Sequence, residues 1–178
     1  MKSYIIDNIN AQKKVDKMSK IVELFPFEYK DYKIEYEYVT KHDYHLSIKK
    51  RKEIKITIKK KRLPKKIEKK SSAFLFQTYI EEPRVFGIFD RKKLIGVIEG
   101  SIETWNNRFR IWNLVVEKKY RRNGHGKSLL NHCIEIAKSM NCRAVILETQ
   151  SCNVNAIEFY LKQGFHFVGL DTMAYTNN

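Results

Sequence analysis

Arg121-Arg122-Asn123-Gly124-His125-Gly126-Lys127 joins a strand-like run, residues 109–116, to an amphipathic run, residues 127–140. A strand, a glycine-bearing loop and the start of a helix make an anion-binding arrangement. The first backbone N–H groups of a helix lack intrahelical acceptors, and the helix dipole adds partial positive charge at that end. Gly124 and Gly126 carry no Cβ, so backbone N–H groups can converge on a bound oxyanion. Arg121, Arg122 and Lys127 add full positive charges. The loop reads as a cradle for a phosphate or pyrophosphate. Its spacing is neither G-x-G-x-x-G nor G-x-x-x-x-G-K-[ST], because a single residue separates the two glycines. On its own, the stretch reads equally well as a basic turn between a strand and a helix.

A second motif follows. Asn153-Val154-Asn155-Ala156-Ile157-Glu158-Phe159-Tyr160-Leu161-Lys162-Gln163-Gly164-Phe165 fits N-x-x-A-x-x-F-Y-x-x-x-G-F. Taken with R-x-x-G-x-G and the helix and strand between them, it resembles the GNAT superfamily of acetyl-CoA-dependent N-acetyltransferases. Leu147-Glu148-Thr149-Gln150 and Asp171-Thr172-Met173-Ala174-Tyr175 resemble its streptothricin acetyltransferase-like branch. The match covers residues 85–178, a little over half of the chain. It implies an α/β (α+β) fold with a mixed, mostly antiparallel central sheet and flanking helices.

The chain has 178 residues, enough for one domain with a proper core. We expect a single domain over 1–178, with a variable N-terminal part, 1–82, and an acetyl-CoA-binding core, 83–178. No apolar run is long enough to span a bilayer, and the first residues lack a signal-peptide core, so no membrane partner and a cytoplasmic location are expected. Cys133, Cys142 and Cys152 form no C-x-x-C pair, which fits a reducing compartment and argues against a zinc site. Cys133 falls on the apolar face of its helix, whereas Cys152 is expected in a partly exposed loop. The net charge of +15 attracts polyanions nonspecifically. Much of it lies in residues 49–70, read as a solvated hairpin and linker rather than a nucleic-acid site.

Along the chain, Val15, Met18, Ile21, Val22 and Phe25 follow helical spacing, which predicts a helix over 11–25 ended by Pro26. Alternation predicts half-buried strands over 33–38 and 54–58, with a third at 44–48. Residues 63–66 read as a loop, and 71–80 as a short helix or irregular. Strands are expected over 85–89 and 94–103, joined by a hairpin turn, then over 109–116. A helix over 127–140 follows, then a buried strand at 144–147. A helix capped by Asn153 and ended at Gly164 leads to a strand over 165–170.

The resemblance assigns roles. Backbone groups of Leu114, Val115 and Val116 are to pair with the pantetheine arm of acetyl-CoA, and the Val116 N–H is to polarise the thioester carbonyl. Arg121, Arg122, Asn123, Gly124, His125, Gly126, Lys127 and Ser128 are to hold the pyrophosphate. Asn153 and Ala156 are to line the cofactor arm. Tyr160 is to serve as general acid, since a phenol with a pKa of about 10 can protonate a departing thiolate. For the base, relatives often place an acidic residue mid-strand before the cradle, where this chain has Trp112-Asn113. Glu99, Glu103 and Glu148 are then the candidates. No metal is expected, and the partner is a small-molecule or peptide amine. The resemblance also implies a further strand after position 175. Either the fold manages without it, or another segment or a second subunit supplies it, a homodimer being one route.

Overall fold

The structure, a computed structural model, describes residues 3–8, as backbone, and 20–174. Nine strands and three helices follow in the order β1 (Ser3–Asn8), β2 (Ile21–Leu24), α1 (Pro26–Tyr29), β3 (Lys33–Lys50), β4 (Ile54–Phe74), β5 (Arg84–Asp90), β6 (Lys93–Glu103), β7 (Arg108–Val116), α2 (His125–Ser139), β8 (Ala144–Gln150), α3 (Val154–Lys162) and β9 (His166–Asp171). Seven strands form one mixed sheet, ordered β2-β5-β6-β7-β8-β1-β9. Among its pairs only β7 with β8 is parallel. This is the mostly antiparallel sheet with flanking helices that the sequence implied.

α2 buries Leu129, Leu130, Cys133, Ile134 and Ala137 against Phe86, Ile88, Ile98, Phe109 and Ile111 of the sheet. The i, i+1, i+4, i+5, i+8 spacing is the apolar stripe that the sequence displayed. A second core lies where Leu24, Ile34, Leu75, Phe76, Val85, Leu94 and Val97 meet. β3 and β4 pair only with each other, as one long hairpin, and Ile34 at its base belongs to this second core.

Several expectations change. The predicted helix over 11–25 lies partly outside the described residues, and its last part is strand β2, paired with β5 from Ile21↔Ile88 to Leu24↔Val85. Helical spacing there loses to tertiary pairing, because Ile21 meets the α2-side core while Leu24 meets the other. Pro26 opens α1 at its first turn, where no N–H is needed, instead of closing a helix. The separate strands at 33–38, 44–48 and 54–58 are pieces of β3 and β4. Residues 63–66, expected as a loop, lie within β4 but outside its ladder. Pairing jumps from Thr40↔Ile67 to His42↔Arg62, which leaves Pro64, with no N–H to donate, in a bulge. Of 71–80, the first four residues extend β4 and the remainder is irregular. Cys152 is buried at 4% exposure, not partly exposed.

β1 decides the far side of the sheet. It pairs with β8 from Ser3↔Gln150 to Asn8↔Val145 and with β9 from Ser3↔Asp171 to Asp7↔His166. A segment of the same chain thus occupies the place between β8 and β9. β9 reaches the sheet through β1.

Candidate functional site

A β-bulge opens the site. Along the β6–β7 ladder, Gly100 pairs with Ile111 and Glu99 with Asn113, so Trp112 is an extra residue on β7. A bulge bends its strand and steepens the local twist. On its other edge β7 pairs with β8 from Arg108↔Ala144 to Ile111↔Leu147 and no further. Beyond that pair β7 runs on to Val116 and β8 to Gln150 without a mutual ladder. The two parallel strands splay into a V-shaped gap, and one edge of residues 112–116 is left for another extended chain. Leu114, Val115 and Val116 on this edge are each partly buried.

The glycine loop closes the wide end of the V. The Glu117 N–H donates to the Ile95 carbonyl at 2.9 Å, turning the chain off the sheet. Arg122 and Gly124 take φ of +67° and +83°, the left-handed region that glycine tolerates best. The first intrahelical bond of α2 runs from the Ser128 N–H to the Gly124 carbonyl at 2.9 Å, so the N–H groups of His125, Gly126 and Lys127 precede it. Arg122, Asn123 and Lys127 are exposed around them, and the His125 ring stands edge-on to Tyr120 at 6.5 Å. Arg121 plays a different part. Its Nε donates to the Val116 carbonyl at 2.8 Å and its Nη1 to the Glu37 carbonyl at 2.7 Å, bracing the loop against β7 and β3. A Cβ on Gly126 would lie 3.7 Å from Phe159 and 3.8 Å from Val116, so the glycine keeps open a space between α2, α3 and β7.

α3 forms the opposite wall. Asn153 caps it, its Oδ1 accepting from the Ala156 N–H at 3.3 Å. Tyr160, about two turns beyond the cap, is buried at 8% exposure with ring neighbours Phe159 at 5.1 Å and Phe165 at 5.6 Å. Burial, with a smaller contribution from Cys133, raises its pKa above the usual tyrosine value, so the phenol holds its proton throughout the neutral range.

The hairpin straps the gap. Tyr36 donates to Asn113 Oδ1 on β7, and Tyr38 donates to Gln150 Oε1 on β8 at 2.7 Å. Two hydroxyls at i and i+2 on β3 thereby bridge the strands that have separated. The i, i+2 tyrosines were visible in the sequence, but nothing in it pointed them at β7 and β8.

The carboxylates expected as bases sit in three different environments. Glu99 is fully buried, accepts from the Phe76 N–H at 2.7 Å and also accepts from Asn113 Nδ2. Burial raises its pKa, partly offset by these two bonds. Glu103 is gripped by Arg110 at 2.5 Å and Arg108 at 2.6 Å. Burial alone would raise its pKa, but the two guanidinium partners outweigh that and lower it. Glu148 is 30% exposed at the crotch of the V, 3.9 Å from Arg110 Nη1. Among the described residues there is no cluster of three or more His, Cys, Asp or Glu suited to a metal. No described helix is long and apolar enough to cross a membrane.

Splayed strands that end on a glycine loop at a helix start define an acyl-CoA-binding acyltransferase fold. The profile of the Acetyltransferase (GNAT) family matches residues 55–165, and the chain belongs to that family. Streptothricin acetyltransferase A of Bacillus subtilis is 41% identical over 102 residues, covering 56% of this chain and 58% of the relative. The chain spans about half the length of the curated relatives it matches. Solved structures match over more of it. Nourseothricin acetyltransferase superposes with a TM-score of 0.71 at 20% identity over 89% of each chain. A Bacillus anthracis protein described as a streptothricin acetyltransferase, solved with acetyl coenzyme A, gives 0.65 at 27% identity over 88% of this chain and 89% of its own.

Proposed function

We propose that the protein transfers an acetyl group from acetyl-CoA to a primary amine of a small cationic acceptor of the streptothricin type. The observation that carries this reading is the V-shaped gap, which starts beyond the Ile111↔Leu147 pair and ends on the N–H groups of residues 125–127. An extended arm fits along β7, and a pyrophosphate fits at the helix start. The Bacillus anthracis relative, matched along 88% of this chain, is a complex with acetyl coenzyme A.

Acetyl-CoA supplies an activated thioester. The residues of this chain do the rest. Leu114 and Val115 hold the arm by backbone pairing. The Val116 N–H polarises the acetyl carbonyl. The residues from Arg122 to Ser128 hold the pyrophosphate, with Arg121 as a brace, and Asn153 and Ala156 face the arm from α3. The acceptor nitrogen attacks the carbonyl carbon, the C–S bond breaks, and Tyr160 gives its proton to the departing sulfur. The amine loses its proton to ordered water, since Glu99 is sealed behind its hydrogen bonds, Glu103 lies behind two arginines, and Glu148 sits beside the Arg110 guanidinium, which disfavours its taking up a proton. Water then returns a proton to Tyr160. The products are an amide and CoA with a free thiol.

Calorimetric titration with acetyl-CoA tests the cradle, and thiol release with a panel of amines that includes streptothricin tests the transfer. Saturable binding followed by release is the expected result; no binding would remove the basis of the reading. A single substitution separates fold from function. Gly126→Ala meets only ordinary van der Waals contacts and replaces a glycine within a helix, so stability should hold or rise by about 0.5 kcal/mol. Its methyl group occupies the space beside Val116 and Phe159, so acetyl-CoA affinity should fall about tenfold, or 1.4 kcal/mol. Calorimetry and thermal melts on one preparation check both.

A further inference from the structure

We infer that Glu148 and Trp112 form a subsite for a second cationic group of the acceptor, which makes the preferred acceptors diamines or polyamines instead of monoamines. The inference rests on the transferase reading above and names the substrate class of the same site. Trp112 and Glu148 are the first residues beyond the last β7–β8 pair, Ile111↔Leu147. They therefore flank the crotch of the V, next to the β7 segment on which the reaction is proposed.

Both side chains belong to the face of the sheet that the hairpin straps. The Trp112 indole N–H donates to Ser101 Oγ at 2.9 Å, Arg110 lies over the ring at 5.1 Å, and Tyr79 stands edge-on at 5.8 Å. The indole is thus fixed in orientation while remaining 38% exposed. The charges beside it are unevenly matched. Glu103 engages both Arg108 and Arg110. Glu148 lies 3.9 Å from Arg110 Nη1, beyond hydrogen-bond reach, and is the most exposed of this group at 30%, against 21% for Arg108, 18% for Arg110 and 14% for Glu103. Its carboxylate keeps coordination sites for another donor. An ammonium group placed there gains a charge-assisted hydrogen bond, and the methylenes leading to the reacting amine cover the indole. A local carboxylate is needed all the more because the chain carries a net charge of +15, which repels cations at long range.

The test uses two acceptors that differ only in the second ammonium group, 1,5-diaminopentane and 1-aminopentane, with streptothricin as reference. Thiol release gives kcat and KM for the 178-residue chain and for Glu148→Gln. The expected result is a KM about tenfold lower for the diamine than for the monoamine, the size of one charge-assisted hydrogen bond. In Glu148→Gln that advantage disappears, while kcat for both acceptors stays within about twofold and acetyl-CoA affinity by calorimetry is unchanged. A diamine preference that survives in Glu148→Gln overturns the inference. An equal loss of kcat for both acceptors overturns it as well, because that pattern belongs to a general base. Absence of thiol release from every amine, with acetyl-CoA still bound, overturns the transferase reading and this inference with it.

Discussion

Tyr160→Phe should lower kcat by at least about 100-fold, within the range that a positioned general acid contributes, and leave the acetyl-CoA dissociation constant within about twofold of wild type. The substitution removes one oxygen from a ring held between Phe159 and Phe165. The packing that defines α3 is retained, so a loss of turnover is not a loss of fold. Thiol release at saturating streptothricin measures the first quantity and calorimetry the second. The pH dependence gives a further check. An acid must be protonated to act, and burial raises the Tyr160 pKa. The wild-type profile should therefore show no alkaline loss of kcat from this group up to about pH 10, the ordinary tyrosine value. A phenylalanine variant with wild-type turnover would remove Tyr160 from the mechanism.

Ile5→Pro should be the most damaging single change to the fold. Ile5 pairs with Glu148 on one side and Gly169 on the other. Proline in a strand flanked on both sides removes a ladder donor and leaves its acceptor unpaired, at a cost of about 3 kcal/mol, the upper end for a buried polar group left unsatisfied. With a urea m-value of about 2 kcal/mol per molar, the unfolding midpoint drops by about 1.5 M. Acetyl-CoA binding should weaken in step. Asn153 and Tyr160 lie on α3, which leads directly into β9, and β9 is attached to the sheet through β1. An unchanged midpoint would show that residues 3–8 do not hold β8 and β9 together.

The two predictions differ in how far the sequence foretold them. Tyr160 stood in a motif whose parts lie within thirteen residues, from Asn153 to Phe165, and local spacing of that kind carries over into the helix capped by Asn153. The turn into α2 was equally legible, because a glycine at φ +83° followed by a helix start is settled over a few bonds. Arg121 was legible as a cation of the loop but not as a brace, since its acceptors include a carbonyl of β3 that the sequence places far away. The bulge at Trp112 left no trace in composition. It appears only when β6 is laid beside β7. Residues 21–24 misled because Ile21, Val22 and Phe25 satisfy a helical period, yet β5 offers a ladder that a short helix cannot match. Ser3–Asn8 carried no signal of its partners, which lie well over a hundred residues later.

That separation has a consequence for how the molecule comes to exist. Residues 3–8 leave the ribosome well before both of their neighbours, Val145–Gln150 and His166–Asp171. Closing a contact of such long range carries a loop-entropy cost that local pairs such as β3 with β4 avoid. The β3–β4 hairpin and the β5–β6–β7 meander can therefore form while the chain is still growing, whereas the edge of β8 waits for a segment synthesised long before it. Until that meeting occurs, the proposed acetyl-CoA groove has only one finished wall, and newly made protein carries an open strand edge prone to aberrant pairing.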